Sequence, residues 1–328
     1  MRYRKLGQSD ISVSEISLGC WTLGGLNWVN GVPNGWANVD EPAAIEAINF
    51  ALDRGINHFD NADVYGNGRA ERLLAKALGT RNKDVIIATK VGWFPGTAAH
   101  AYEPQHIRHQ LEQSLINLRR DWVDIYYFHH ADFGPNDQYL DDAVAMIYRL
   151  QDEGKIRLIG QSAYTEQDFL RVVPKVKPTV MQSYAHIMDD HFIRPGSSIR
   201  RLLENRQMSF IAFSPLNKGL LLGKYDAQRP PHFEEGDHRK KSAVFTPEHL
   251  AQITPQINAL KTRFGKRIPE LARVALQYLL NNPIVAAVIP GFRNRQQVED
   301  ILWGTEKPLS AEESSYIQKV FRPEANRP

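Results

Sequence analysis

Short apolar runs alternate with longer amphipathic stretches along most of the chain. Residues 15–18, 57–60, 85–90, 123–128, 157–160, 179–183, 209–213 and 285–289 read as strands, eight in all. Several are almost continuously apolar, such as Val85-Ile86-Ile87-Ala88 and Phe210-Ile211-Ala212-Phe213, which suits parallel strands covered on both faces. Helical stretches lie between them. Asp40 reads as the N-cap of 43–54, with Pro42 in the first turn and Gly55 just past the end. Gly79 closes 70–78 and Gly154 closes 140–153 in the same way, because a glycine adopts the left-handed backbone that ends a helix. Further helical stretches cover 104–118, 166–173, 198–205, 268–280 and 295–303. This alternation, with short connections, predicts an α/β fold of the closed (β/α)8 TIM-barrel type. A doubly wound open sheet is the competing architecture. No Gly-x-Gly-x-x-Gly joins the first strand to its helix, however, and Gly66-Asn67-Gly68 lacks the third glycine.

Two segments stand outside the repeat. Residues 2–14 read as an N-terminal β-hairpin turning at Gln8-Ser9-Asp10. Residues 223–246 form a polar insertion carrying Arg229-Pro230-Pro231 and His238-Arg239-Lys240-Lys241, and an extra helix, 247–264, follows it in the late loops. With no internal repeat and no linker, residues 1–328 read as a single domain.

Composition narrows the function classes. Of 328 residues, 42% are hydrophobic and 23% charged, which excludes a disordered chain. Lys plus Arg number 40 and Asp plus Glu 37, and the resulting net charge of +3 excludes the basic surface that nucleic acid requires. The single cysteine, Cys20, cannot form an internal disulfide and fits a reducing compartment. Charge near the N-terminus is not followed by an apolar segment, and no run of 18 apolar residues occurs. The expectation is a cytoplasmic protein that uses no membrane.

Barrel enzymes place their chemistry at the C-terminal ends of the strands. Here those ends carry Asp60, Lys90, His129-His130, Gln161-Ser162, Gln182, Ser214 and Pro290-Gly291-Phe292-Arg293. Asp60, Tyr65, Lys90 and His129 form a chemically coherent set. A lysine beside a tyrosine favours the phenolate and lowers the phenol's pKa, a carboxylate keeps the lysine charged, and a histidine can hold a carbonyl oxygen. Taken singly, each has an ordinary structural reading, as a rim charge, a packed aromatic or a satisfied core histidine. His106 and His109 lie three apart on a helix, but no third ligand is near in sequence, and no metal is expected.

The motifs Phe59-Asp60-Asn61-Ala62-Asp63-Val64-Tyr65-Gly66, Ala88-Thr89-Lys90, Val123-Asp124-Ile125-Tyr126-Tyr127-Phe128-His129, Gly154-Lys155-Ile156-Arg157-Leu158-Ile159-Gly160 and Phe213-Ser214-Pro215-Leu216 resemble the aldo-keto reductase superfamily. So do residues 219–225 and Val288-Ile289-Pro290-Gly291-Phe292-Arg293, and the order holds along nearly the whole chain. The resemblance implies a barrel that binds NADPH, with NADH as the second candidate, and reduces a small-molecule carbonyl: an aldehyde, ketone or sugar. It implies Tyr65 as general acid, Lys90 as the group lowering its pKa, Asp60 as the partner of Lys90, and His129 as the group orienting the carbonyl. It also implies Trp21 and Asp60 near the nicotinamide ribose, Ser162 and Gln182 at the carboxamide, and Phe213 stacked on the ring. Ser214, Leu216, Gly219 and Lys224 would wrap the pyrophosphate. Gly291, Arg293, Gln297 and Asp300 would hold the adenosine end, with Arg293 on the 2′-phosphate.

Three positions depart from the family pattern. Ala163 stands where an asparagine usually contacts the carboxamide, Phe213 where a tyrosine is common, and Ile301 where an asparagine is common at the adenine end. For the substrate, Trp28, Trp93 and His130 are expected at the barrel mouth. The 21–39 loop combines Trp21, Trp28 and Trp36 with Asn27, Asn30, Asn34 and Asn38, a mixture suited to a sugar-like ligand or to loop packing. Two rival readings differ in class. Potassium-channel β subunits share the fold and cofactor as regulatory binding subunits without significant turnover, typically with asparagine in place of His129. A metal-dependent barrel hydrolase would need early-strand ligands such as His-x-His, which the first strand lacks.

Overall fold

The computed structural model describes residues 1–29 and 31–322, so Asn30 lies outside the described residues. Eight parallel strands form one sheet: β3 (Leu18–Gly19), β6 (His58–Asp60), β7 (Ile86–Val91), β8 (Val123–Phe128), β9 (Ile156–Ser162), β10 (Val180–Tyr184), β11 (Ser209–Phe213) and β12 (Val285–Ile289). Backbone bonds from Ser17 N to Val288 O (3.0 Å), Val288 N to Glu15 O (2.9 Å) and Gly19 N to Pro290 O (3.1 Å) close the first strand onto the last. The barrel expected from the alternating pattern is the fold observed.

Each strand is followed by a helix on the outside: α1 (Glu41–Asp53), α2 (Arg69–Leu78), α3 (Pro104–Leu118), α4 (Leu140–Asp152), α5 (Glu166–Val176), α6 (Ser198–Arg206), α8 (Ile268–Leu280) and α9 (Arg295–Leu302). Asp40 caps α1, accepting from Ala43 N at 3.0 Å. α5 runs three residues past the stop expected before Pro174. The proline sits in the last turn, and the helix ends at Lys177 in the left-handed conformation. The extra helix α7 (Pro247–Phe264) has the expected bounds. A further helix, α10 (Ala311–Phe321), was not anticipated. Ser310 and Glu313 form a reciprocal capping box at its start, the signal that marks it in the sequence.

Residue alternation along the strands sorts two cores. Outward residues such as Phe59, Ile87 and Val91 pack under the helices. Inward residues such as Ala88, Ile125, Tyr127, Val180 and Ile211 fill the barrel. The hairpin β1 (Tyr3–Lys5) and β2 (Ser12–Ser14) plugs the barrel from below with Leu6, Ile11 and Val13. Each such buried aliphatic side chain contributes about 1.5–3 kcal/mol of burial free energy. Gly160 leaves space for the Tyr127 ring, since a Cβ there would lie 2.2 Å from its Cδ1. At the barrel's upper end the inward positions change from apolar to polar. Above the strands lies a small antiparallel hairpin, β4 (Leu26–Val29) and β5 (Val32–Gly35), also unanticipated. Among the described residues no helix is long and apolar enough to cross a membrane.

Candidate active site

The inward face of β7 reads Ile86, Ala88, Lys90, so strand periodicity puts Lys90 in the top layer of the barrel interior. Asp60 ends the neighbouring strand β6, and His129 follows β8. Lys90 and Asp60 are 1% and 2% exposed and form a direct ion pair. Lys90 Nζ also donates to Asn61 O at 2.6 Å and to the Tyr65 hydroxyl at 3.3 Å. The second Asp60 oxygen, Oδ2, accepts from Gln182 Nε2 at 2.8 Å. A buried charge pair is costly unless its remaining hydrogen-bonding positions are filled, and here the neighbouring strands fill them.

Tyr65 comes from the loop after β6. Its turn is fixed by a close backbone crossing: Gly66 has φ +60°, and a Cβ there would lie 1.9 Å from Gly24 O. Trp21 stacks on Tyr65 with centroids 6.0 Å apart. His129 meets it edge to face at 5.9 Å. The structure therefore brings Asp60, Tyr65, Lys90 and His129 together. The expected direction of the tyrosine shift is not what the geometry gives. Burial first, and then the Asp60 carboxylate, push the Tyr65 phenol well above its ordinary value of 10.0. The charge of Lys90 is engaged by Asp60, and the phenol stays protonated. Burial, then Lys90 and His130, push His129 well below the usual imidazole value, so it is neutral. Its buried Nδ1 has no hydrogen-bond partner among the described residues.

These groups open into a cavity of about 1020 Å³. Trp21, Asp60, Ser162, Gln182, Phe213, Ser214, Leu216, Gly219, Lys224, Gly291, Arg293, Gln297 and Asp300 all line it. After β11 the chain adopts left-handed backbone at Ser214, Asn217, Lys218 and Gly219, with φ between 44° and 92°. A Cβ at Gly219 would meet nothing within 4 Å, so its backbone faces open space. Burial and then Arg239 lower the pKa of Lys224, so its charge is poorly compensated by the protein. Arg293 Nη2 donates to the carbonyls of Ala37 and Asn38, and its backbone N–H is held by Gln297 Oε1 at 2.8 Å.

Three placements differ from expectation. Trp28 is 62% exposed on the outer side of the β4–β5 hairpin and does not line the cavity, whereas Trp93 does. His130 turns away from it: its Nε2 lies 2.8 Å from Gly92 O, and its backbone is clamped by the Tyr102 hydroxyl. Ala163 is fully buried and does not reach the cavity. Sequence reasoning also missed two contributors. Tyr164, just past the end of β9, lines the cavity. The polar insertion folds over the barrel as a wall: Asp237 bridges to Gly35, pairs with Arg239 at 2.7 Å, and Arg239 lies 4.3 Å above both Trp36 and Phe233. His238 is thereby set against Trp21 with centroids 4.4 Å apart. In sequence, 233–241 is an aromatic and acidic run followed by a basic one, and nothing in that order marks it as a wall over the barrel.

The profile of the aldo/keto reductase family matches residues 15–322. The chain belongs to the aldo/keto reductase family. It is 29% identical over 325 residues to the uncharacterized oxidoreductase YqkF of Bacillus subtilis, covering 97% of this chain and 96% of the relative. It is 27% identical to a probable voltage-gated potassium channel subunit beta of Arabidopsis thaliana, covering 92% and 90%. Among solved structures, aldo-keto reductase AKR11C1 from Bacillus halodurans (holo form) superposes with a TM-score of 0.75 at 27% identity, covering 98% and 96% of the two chains. Family membership makes the chain an oxidoreductase, and the barrel is the one its relatives share.

Proposed function

We propose that this aldo/keto reductase is an NADPH-dependent enzyme that reduces an aldehyde, ketone or sugar-like carbonyl to an alcohol, with Tyr65 giving the proton. The observation that carries this reading is the Tyr65 hydroxyl, 3.3 Å from an ion-paired, buried Lys90, beside neutral His129 at the base of the cavity. The cavity fits the cofactor. Phe213 supplies an aromatic face, Ser162 and Gln182 supply amide-binding groups beside it, and the left-handed backbone of 214–219 leads to Lys224 and Arg293. A guanidinium fork matches phosphate geometry, which supports NADPH over NADH. When bound, the cofactor supplies hydride to the carbonyl carbon.

The chain's own residues do the rest. Tyr65 and the neutral His129 converge on one oxygen and orient it. As negative charge grows on that oxygen, Tyr65 transfers its proton. Lys90, fixed by Asp60 and Asn61, stabilises the phenolate that remains. The phenol therefore keeps its proton until the reaction needs it, and the lysine acts on the product of the transfer.

The test is loss of NADPH absorbance with a panel of aldehydes, repeated with NADH. Turnover with NADPH at lower cofactor concentration than NADH supports the reading. Tight cofactor binding with no turnover on any carbonyl would favour the regulatory alternative. The presence of His129 beside Tyr65 speaks against that alternative.

A further inference from the structure

A second cavity of about 630 Å³ adjoins the catalytic one. Trp93 and Tyr164 line both, with ring centroids 6.5 Å apart, and are 49% and 43% exposed. The Trp93 ring spans the divide: its centroid is 6.1 Å from that of His129 on the catalytic side and 4.6 Å from that of His130 in the second cavity. The floor is rigid, because His130 is held through its ring by Gly92 and through its backbone by Tyr102. At the rim, Asp132 uses Oδ1 to accept from Gly134 N at 3.0 Å, and Oδ2 accepts no bond among the described residues. His100 accepts from Tyr102 N through Nδ1, and its Nε2 likewise has no partner among the described residues. No part of the catalytic set needs this space.

We propose that this second cavity is an extension subsite for a sugar ring, so that the substrate is a carbonyl compound carrying a glycosyl group. The chemistry is an exposed indole for the apolar face of the ring, with a carboxylate oxygen and an imidazole nitrogen for its hydroxyls. A substrate whose carbonyl oxygen meets Tyr65 and His129 passes over Trp93 to reach it. The inference rests on the carbonyl-reductase reading and names its substrate class.

The test compares three aldehydes with NADPH: glycolaldehyde, its β-D-glucoside (glucosyloxyacetaldehyde) and the cyclohexyl ether of the same length. The glucoside is expected to show a KM at least about tenfold below that of glycolaldehyde, as one or two net hydrogen bonds provide. Ala99 lies at the exposed edge of the second cavity, outside the catalytic set, and its backbone N–H bonds to Glu103. Ala99→Trp should fill the cavity, abolish the glucoside's advantage and leave glycolaldehyde kinetics unchanged. Asp132→Asn should reduce the advantage about threefold or more, with the same control. Equal KM values for glucoside and glycolaldehyde, a cyclohexyl ether that performs as well as the glucoside, or no effect of Ala99→Trp would each overturn the proposal. If no aldehyde is reduced, the reductase reading fails separately. Saturation-transfer NMR with methyl β-D-glucopyranoside then decides the subsite: transfer that Ala99→Trp removes supports it, and no transfer to the wild-type protein overturns it.

Discussion

Gln182 and Asp60 are 122 positions apart in sequence, yet Gln182 Nε2 donates to Asp60 Oδ2 at 2.8 Å inside the barrel. The bond completes the shell of a carboxylate whose other oxygen is paired with Lys90. With its amide nitrogen engaged by Asp60, Gln182 keeps its amide oxygen for the cofactor's carboxamide proposed above. Replacing it by methionine leaves a buried carboxylate oxygen without a donor, a loss of about 1–3 kcal/mol. Gln182→Met is therefore expected to lower the melting temperature by several degrees and to lower turnover by loosening Lys90. Calorimetry beside steady-state kinetics checks this. An unchanged melting temperature would mean that the bond contributes nothing to the pair.

Tyr65 must hold its proton to deliver it. Burial, followed by the Asp60 carboxylate, raises its pKa, so the competent form persists through neutral and mildly alkaline pH. The kcat/KM for reduction is expected to show no loss attributable to this group between about pH 6 and 9. Tyr65→Phe keeps the ring against Trp21 and should reduce turnover by about 10²–10⁴-fold with cofactor affinity retained. A wild-type profile falling through the neutral range, absent in Tyr65→Phe, would show instead that the phenol is lowered once the cofactor is in place.

Much of this architecture is legible in the chain because a barrel strand buried on both faces leaves a nearly continuous apolar run, as in 85–88 and 210–213. The site is legible for a related reason. Asp60 and Lys90 interrupt those runs where apolar residues would otherwise continue, and only an ion pair makes such an interruption tolerable. What sequence hid depends on tertiary contact. Trp28 and Trp36 belong to the same loop, but strand alternation in the β4–β5 hairpin turns Trp28 outward, while Trp36 packs beneath Arg239. The wall formed by 235–241 hangs on the Asp237–Arg239 pair and the Asp237–Gly35 bridge. In a one-dimensional reading that segment is an ordinary charged loop.

Asp63 links the site loop to stability. Burial, reinforced by Glu71, raises its pKa from 3.8 to about 8. The unfolded chain releases this proton near the ordinary carboxylate value, while the folded chain retains it. The stability tied to Asp63 is therefore fully present below about pH 4 and is lost as pH rises through about 8. Asp63→Asn preserves an acceptor for Val64 N, which Oδ1 now contacts at 2.6 Å. Relative to wild type, the variant is expected to gain stability steadily between pH 5 and pH 8 in urea unfolding. Parallel pH profiles for the two proteins would remove Asp63 from this role.

Arg293→Ala should weaken NADPH more than NADH. A charge-assisted contact to the 2′-phosphate contributes about 1.5–3 kcal/mol, or about 10–150-fold in selectivity. The structure adds a second consequence. Arg293 also ties down the carbonyls of Ala37 and Asn38, beside the Trp36 wall. A smaller loss common to both cofactors is expected on top of the selective one. Cofactor titration by fluorescence separates the two: equal losses for NADPH and NADH would leave Arg293 as a loop anchor alone.

Ala163 stands where relatives of this fold were expected to offer an asparagine to the carboxamide. If the missing amide were simply a lost contact, Ala163→Asn would tighten the cofactor by the worth of one neutral hydrogen bond, about 0.5–1.5 kcal/mol. The structure argues the other way. Ala163 has no exposed surface, its N–H bonds to Gln182 O at 3.3 Å, and its carbonyl accepts from Ser183 Oγ at 2.6 Å. A larger polar side chain there enters packed space rather than the cavity, and overpacking costs about 1–3 kcal/mol. It also presses on the β9–β10 junction that carries Ser162 and Gln182. Ala163→Asn is expected to lower thermal stability and impair turnover without improving cofactor affinity. A severalfold tighter NADPH titration at unchanged melting temperature would show that the position opens to the cofactor after all.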